Sequence, residues 1–272
     1  MNTKNRILEL LEQRRGESIS GERIAGMLNI SRNAVWKAIK ELKKDGYNIV
    51  AVTNKGYCLS DENDIISIPG IKPFLSERSR ICEDKIRIYK SLESTNQTAK
   101  ESAIAGAEHG TVIISDRQTR GRGRYSRSFF SPSGGGLYMS IVLRPEVLHF
   151  ENPTTVTAFA AVTVCEAIES VSGKTPEIKW VNDVFIDGKK VCGILTEAVA
   201  DFESGQLDWI VLGIGVNVSI RTEDFPDDLR SPATSIYPDG KVPGIRNRLS
   251  ADIINRIIGY KTPPSETEIL EK

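Results

Sequence analysis

Residues 118–136, QTRGRGRYSRSFFSPSGGG, interleave four arginines with glycines. Gly121 and Gly123 let backbone N–H groups approach an anion, and Arg122 and Arg124 add fork-shaped guanidinium donors. The stretch therefore suits a phosphate or a carboxylate. It lacks the Lys-Ser/Thr ending of a P-loop, and it lacks the third glycine and βαβ setting of a dinucleotide-binding turn. From these residues alone, a nucleotide site, a solvated basic loop and an RNA-binding arginine–glycine segment all stay open. Other groups can share a site with it. Ser94, Thr95 and Asn96 stand at a strand-to-helix junction, where small polar groups cap a helix or serve a ligand. KWVNDVFIDGKKVCGILTE sets Lys179 beside Trp180, Asn182 beside Asp183, and Lys190 just ahead of an apolar strand. A long amine there points into a pocket or simply sits at a strand edge. No metal site is expected: His109 and His149 are the only histidines, and Cys58, Cys82, Cys165 and Cys192 form no CxxC pair. The cysteines read as buried thiols of a reducing compartment.

The elements that must position these groups follow from periodicity. From about residue 84, β-branched apolar runs recur at KIRIYKSL, GTVIISDRQ, GGLYMSIVLRP, PEIKWVNDVFID, KKVCGILTEAVA and DWIVLGIGVNVSI. The last three are separated by short turns such as Asp187-Gly188, so they are expected as antiparallel neighbours. Helical patterns at 94–107 and 152–171 interrupt them, which argues an α+β domain with a mostly antiparallel sheet.

Residues 1–62 read as a separate module. Ile7, Leu8, Leu10 and Leu11 give a first helix an apolar stripe; Ser20 caps a second helix and Ser31 a third, on which Val35, Ile39 and Leu42 recur at helical spacing. YNIVAVTNKGYCL then reads as a hairpin. This is the pattern of a winged helix-turn-helix. Its third helix offers Arg32, Asn33, Trp36, Lys37 and Lys40 to a DNA major groove, with Ser20, Ser31 and the hairpin's Lys55 beside the backbone. A small interaction module with a solvated charged face is the other reading. Residues 63–83 are expected as a linker, 84–260 as the second domain and 261–272 as a polar tail.

Lys plus Arg and Asp plus Glu stand at 36 each, so no global charge advertises nucleic acid, though a local basic patch is compatible with that balance. No signal peptide is read at the N-terminus, and no apolar run is read as approaching the roughly 18 residues of a membrane span. A cytoplasmic protein without a membrane partner is expected.

STNQTAK, DRQTRGRGR, FSPSGGGLYMSIVLRP, KWVNDVFIDGKKVCGILTE and VLGIGVNV, in this order behind a winged helix, resemble the biotin protein ligase family, and within it the bifunctional ligase/repressors. The resemblance implies a biotin/lipoate-ligase-like fold. It also implies synthesis of biotinyl-5′-AMP from biotin and ATP, with Mg²⁺ accompanying ATP, and biotin transfer to a lysine of a biotin carboxyl carrier protein domain. It places biotin against Ser94, Thr95, Asn96, Gln118, Arg122, Gly123, Arg124 and Lys190, and ATP against Gly121, Arg122, Arg124, Lys179, Asn182 and Asn217. Lys190, Arg122, Arg124 and Asp183 carry the catalysis in that reading. Residues 221–236 become an adenine-side loop, and an adenylate-bound homodimer binds operator DNA. Three positions depart from the family's pattern: Ser126 stands for a usual Gly, Phe129 for Trp and Val181 for Pro. Relatives usually close with a small SH3-like barrel, which KTPPSETEILEK does not suggest. A DNA-binding biotin sensor with weak or lost ligation is the alternative function.

Overall fold

The computed structural model describes residues 2–52, 55–77, 81, 83–148, 153–200, 207–240 and 242–259. The chain divides into two compact units, Met1–Phe74 with Val242–Arg248, and Leu75–Lys241 with Leu249–Lys272.

In the first unit, α1 (Thr3–Gln13), α2 (Gly21–Leu28) and α3 (Arg32–Lys44) precede the strands β1 (Ile49–Val52) and β2 (Gly56–Leu59). Each helix start is chemically fixed. Asn2, Ser20 and Ser31 accept with their side chains from the N–H groups of Asn5, Arg23 and Ala34. Asn29 takes the left-handed conformation that ends α2, at φ 52°. The apolar stripes meet as expected: Ile7, Leu11, Ile24, Val35, Ile39 and Leu42 are buried together with Leu59. β1 and β2 pair antiparallel, and Ile19 bridges Tyr57 to add a third short strand to the wing. That close approach needs Gly56, whose φ is +106° and whose added Cβ would come within 2.1 Å of the Ile19 carbonyl. Thr53 and Asn54, at the wing tip, lie outside the described residues.

The expected linker 63–83 is folded over its first half. Asn63, Asp64 and Ser67 are buried, and Ser67 caps a single turn, α4 (Ile68–Ile71). The cause is non-local. Arg246 Nε donates to Asp64 Oδ2 at 2.8 Å, with the two side chains 3% and 1% exposed, and Asn247 Nδ2 donates to the Ile65 carbonyl at 2.8 Å. Residues 242–248, expected within the second domain, therefore count with the first. They include the start of α8 (Ile245–Gly259). Residues 260–272, including the expected polar tail, lie outside the described residues.

The second unit is built on a seven-stranded sheet in the order β3-β4-β5-β9-β8-β7-β6. Its strands are β3 (Ile86–Tyr89), β4 (Thr111–Ser115), β5 (Gly136–Leu143), β6 (Glu177–Lys179), β7 (Asp183–Ile186), β8 (Lys189–Ala200) and β9 (Leu207–Asn217). Only β3–β4 is parallel, so the sheet is mixed and mostly antiparallel, as the sequence suggests. β4 and β5 are buried along their whole lengths, as strands covered on both faces must be. The helix α5 (Thr95–Ile104) packs on β4, β5 and β9, and α7 (Pro153–Ser172) on β6 to β9; α6 (Pro145–Leu148) is a single turn. Contrary to the sequence reading, Thr154–Ser172 is long and apolar enough to cross a membrane, at mean hydropathy 1.3. Its apolarity is spent on the sheet instead: Val156, Phe159, Ala160, Val164 and Ile168 are buried.

Removing one partner of a buried ion pair leaves the other charge desolvated and uncompensated. Arg246→Ala should therefore destabilise the first unit by about 3–5 kcal/mol. Hydrogen exchange across residues 1–74 should accelerate while exchange in β4 and β5 stays slow; unchanged exchange in 1–74 would contradict the role given to this pair.

Candidate functional site

The centre of the sheet is floored by glycines. Gly193 pairs with Gly215 across β8 and β9, while Gly213 lies in register with Leu195 on one side and Ser140 on the other. At Gly213 and Gly215 another side chain takes the Cβ's place. An added Cβ on Gly213 would sit 2.0 Å from Asn96 Oδ1, and one on Gly215 would sit 2.7 Å from the Phe129 ring. Over this floor lies a recess of about 50 Å³ lined by Ser94, Thr95, Asn96, Gln118, Arg122, Gly123, Arg124, Phe129, Asn182, Asp183 and Lys190. It adjoins an open cleft of about 1040 Å³ that shares Ser94, Arg122, Gly123, Arg124, Ile194 and Leu195.

The arginine–glycine stretch is a closed hairpin rather than a slack loop. Gly123 N donates to the Arg127 carbonyl at 2.8 Å, Phe129 N donates to the Gly121 carbonyl at 2.9 Å, and Arg122 bridges Ser128. Tyr125 turns the tip in the left-handed conformation, at φ 55°. Gly121 is required by packing, since a Cβ would fall 2.3 Å from the Phe129 carbonyl; at Gly123 the nearest atom is 3.4 Å away. From this hairpin Arg124 Nη1 donates to Asn182 Oδ1 at 3.0 Å, and Asn182 Nδ2 donates to Asp183 Oδ1 at 2.9 Å. Asp183 Oδ1 in turn pairs with Lys190 Nζ at 2.7 Å. Arg122 Nη1 lies 3.9 Å from Glu197 Oε1.

At the start of α5, Ser94 occupies the N-cap position, but its side chain makes no capping hydrogen bond. Gln118 caps instead, its Oε1 accepting from Thr95 N at 2.8 Å, and Ser94 lines both the recess and the cleft. Of the residues expected in the site, Ser94, Thr95, Asn96, Gln118, Gly121, Arg122, Gly123, Arg124, Asn182, Asp183 and Lys190 are brought to the recess or the cleft. Lys179 and Asn217 line neither. Lys179 is exposed on β6, over the Phe185 ring at 5.4 Å. Asn217 is buried and donates to the Thr234 carbonyl at 3.1 Å. It thereby holds residues 232–236 beside β8, where Lys190 N donates to the Pro232 carbonyl and Thr234 N to the Lys190 carbonyl, both at 2.9 Å.

Sequence reading missed Glu197, Ser140, Ser131 and the floor glycines. Alternating glycines at 213 and 215 in an apolar strand were the available signal, because glycine in a strand marks a close approach. Glu197 receives Lys100 Nζ at 2.5 Å and Asn96 Nδ2 at 2.9 Å. Burial pushes its carboxyl up, but those hydrogen bonds and the charges of Lys100 and Arg122 outweigh it and hold the group below the usual carboxylate value. Cys192 is wholly buried under the sheet, and burial pushes its thiol well above the ordinary value, so it is no nucleophile at neutral pH.

In the first unit, Arg32, Asn33, Trp36, Lys37 and Lys40 are all exposed on α3, with Lys40 Nζ 5.1 Å from the centre of the Trp36 ring. Arg32, Asn33 and Trp36 border a groove of about 580 Å³ shared with Ser20 and the wing. Ser20 and Ser31 spend an oxygen lone pair on their caps, which leaves each hydroxyl proton free to donate. Lys55 is exposed next to the wing tip.

Gly213→Ala should destabilise the second unit by about 1–3 kcal/mol, because Asn96 cannot move without breaking its own bonds. Gly26→Ala, in a helix with nothing within 4 Å of the new Cβ, is the control and should be neutral or mildly stabilising. Urea unfolding of both variants measures this, and equal midpoints would refute the floor's steric role.

The description of the biotin/lipoate A/B protein ligase family matches residues 88–217, and a helix-turn-helix domain description matches residues 3–58. The chain is 41% identical over 230 residues to the bifunctional ligase/repressor BirA of Bacillus spizizenii, covering 85% of this chain and 69% of that protein. It is 30% identical over 209 residues to the protein of the same name from Escherichia coli, covering 76% of this chain and 61% of that one. Among solved structures, biotin protein ligase from Aquifex aeolicus in complex with biotin and ATP superimposes with a TM-score of 0.55 at 32% identity, covering 69% of this chain and 70% of that chain. With a winged helix ahead of the ligase fold and this degree of identity along both, the chain belongs to the biotin protein ligases, among their bifunctional ligase/repressor members.

Proposed function

We propose that this chain is an ATP-dependent biotin protein ligase that also acts as a biotin-responsive transcriptional repressor. The observation that carries the ligase reading is the convergence of Arg122, Arg124 and Lys190 on one glycine-floored recess whose walls are small polar side chains. Two anions must meet there, the biotin carboxylate and the ATP α-phosphate, and bringing them together needs cations and fixed donors more than a general base.

In the first step a carboxylate oxygen attacks the α-phosphorus, the bond to the leaving pyrophosphate breaks, and biotinyl-5′-AMP forms. Arg122 and Arg124 draw the two anions together, and Lys190 balances charge that builds on the acyl phosphate. Mg²⁺, carried in as part of the ATP substrate, would supply charge neutralisation for the departing pyrophosphate. In the second step the lysine amine of a biotin carboxyl carrier protein attacks the acyl carbon, an amide bond forms, and AMP leaves. Asp183, an acceptor beside Lys190, orients the amine and receives its N–H. Gly121 and Gly123 let the hairpin close over the adenylate, with Ser94, Thr95, Asn96 and Gln118 on the biotin side and Asn182 on the nucleotide side. Lys179 takes no part in the site, and Asn217 contributes indirectly by holding residues 232–236 against Lys190.

For the repressor, the exposed Arg32, Asn33, Trp36, Lys37 and Lys40 of α3 read the major groove of operator DNA, and Lys55 meets the neighbouring backbone. Adenylate binding favours a homodimer through the sheet edges, which presents two winged helices to a palindromic site. The protein works in the cytoplasm without a membrane partner.

Biotin-dependent ATP–pyrophosphate exchange, followed by biotin transfer to a carrier domain, tests the enzyme. Lys190→Ala should slow exchange by about 10²–10³-fold, as loss of a preorganised charge-stabilising group does. Arg122→Ala should shorten adenylate retention far more than it weakens free biotin. Wild-type protein active in neither assay, but still binding DNA, would leave a biotin sensor in place of a ligase.

On the DNA side, Arg32→Ala should weaken binding to an operator selected from a random pool by about 1–3 kcal/mol, while Lys55→Ala should reduce the salt slope by about one. Exchange rates should be untouched in both. An Arg32→Ala protein with unaltered DNA affinity would show that α3 is not the reading helix.

A further inference from the structure

We propose that Glu197 is a positioning residue for biotin: its carboxylate fixes the direction of the hydrogen bonds around the recess and so decides which polar atoms face the ureido ring. The inference rests on the ligase reading above.

Glu197 ends the GILTE stretch of β8 with its side chain 20% exposed. Held below the usual carboxylate value by Lys100, Asn96 and Arg122, it is ionised at neutral pH and can only accept. Asn96 Nδ2 spends its two protons on Glu197 Oε2 at 2.9 Å and on the Leu195 carbonyl at 3.2 Å. Reversing that amide would set its oxygen against two acceptors, so the orientation is fixed from this end. Asn96 Oδ1 must then face Ser140, whose hydroxyl donates to it at 2.7 Å. Ser140 has one proton. It is shared across the 2.8 Å contact with Thr95 Oγ1, and the threonine hydroxyl in turn donates to Gln118 Oε1 at 3.1 Å.

The order continues beyond the hydroxyls. Thr95 N donates to Gln118 Oε1 at 2.8 Å, which turns Gln118 Nε2 toward Ser131 Oγ at 2.9 Å; Ser131 then donates to the Phe129 carbonyl at 2.9 Å. The capacity left over has a definite polarity. Asn96 Oδ1 and Thr95 Oγ1 keep acceptor lone pairs, while the second proton of Gln118 Nε2 and the Ser94 hydroxyl remain donors. A cyclic urea, with two N–H donors and one carbonyl acceptor, is the complementary ligand. Glu197 need not touch it. It acts through Asn96, and Lys100 anchors it from the outer side.

The test is steady-state exchange kinetics on the full chain with Glu197→Gln, which keeps the shape but introduces an N–H donor and releases the Asn96 amide. The KM for biotin should rise about tenfold, the effect of one mispaired buried polar contact, while kcat and the KM for ATP stay within about threefold. A purely structural role would instead lower the melting temperature and degrade both substrates together. An unchanged biotin KM in an active enzyme overturns the proposal, whereas wild-type protein without any exchange overturns the ligase reading and not the geometry alone. Should Glu197→Gln lose all activity, a swap decides. Asn96→Asp alone faces a carboxylate with a carboxylate, and adding Glu197→Gln restores a donor–acceptor pair between the same positions. The double variant should bind biotin, by isothermal titration, at least about fivefold more tightly than Asn96→Asp alone. No recovery refutes the direction-setting role.

Discussion

The absence of three side chains shapes this site. A sheet buried on both faces is normally filled by its own β-branched residues, and β4 and β5 are filled in that way. At Gly193, Gly213 and Gly215 the backbone is left bare, and Asn96 and Phe129 come down onto it from α5 and from the arginine hairpin. Glycine weakens a strand, by roughly 0.5–1 kcal/mol relative to alanine in an element interior. The cost is offset where it lets Asn96 and Phe129 pack directly on the backbone that floors the recess. Everything chemical in the second unit is arranged around that bare patch: α5 brings Asn96, the hairpin brings Arg122, and β8 brings Lys190 and Glu197.

The first unit depends on a different constraint, the buried pair of Asp64 and Arg246. Such a pair is weak evidence of added stability, because desolvating two charges consumes most of their attraction. What it gives is registration. An arginine 182 residues away in the chain finds a buried carboxylate, and its loss would leave that carboxylate desolvated without its guanidinium. The winged helix is thus completed by a segment that follows the candidate site residues in sequence.

Much of this was legible in the residues. Helix starts at Ser20 and Ser31 follow from side-chain capping, the wing from alternation around a glycine, and the β7–β8 turn from Asp187-Gly188, whose φ values are 50° and 71°. The hairpin at 118–131 and the groups around Lys190 are local motifs, and they do converge. Features set by distant partners were not legible. Residues 63–74 begin polar and contain two prolines, which is linker composition, yet Arg246 and Asn247 bind Asp64, Ile65 and Ser67, and most of residues 63–71 are buried. Glu197 reads as an ordinary strand charge until α5 supplies Asn96 and Lys100. Asn217 and Lys179, placed in the site by resemblance, are turned elsewhere by a backbone carbonyl and an exposed strand edge. Local pattern reports the element a residue occupies; only tertiary pairing reports what its side chain meets.

Tertiary pairing also ranks how readily each cation can be given to a ligand. Arg122 is half exposed and lies 3.9 Å from Glu197, too far for a hydrogen bond, and a pair of that kind is worth at most about 1 kcal/mol. Glu197 does not need it, being already satisfied by Lys100 and Asn96. Lys190 is held more closely, 2.7 Å from Asp183 and about one-third exposed. Under the proposed ligase reading, a phosphate entering the cleft would therefore recruit Arg122 first, at almost no internal cost. On that reading, Lys190 would turn toward the ligand only as the new anion competes with Asp183, and that exchange would leave the aspartate with an open acceptor site. In the proposed reaction, the pairing that restrains Lys190 in the free protein is also the contact whose release would make Asp183 available to the amine of the second step.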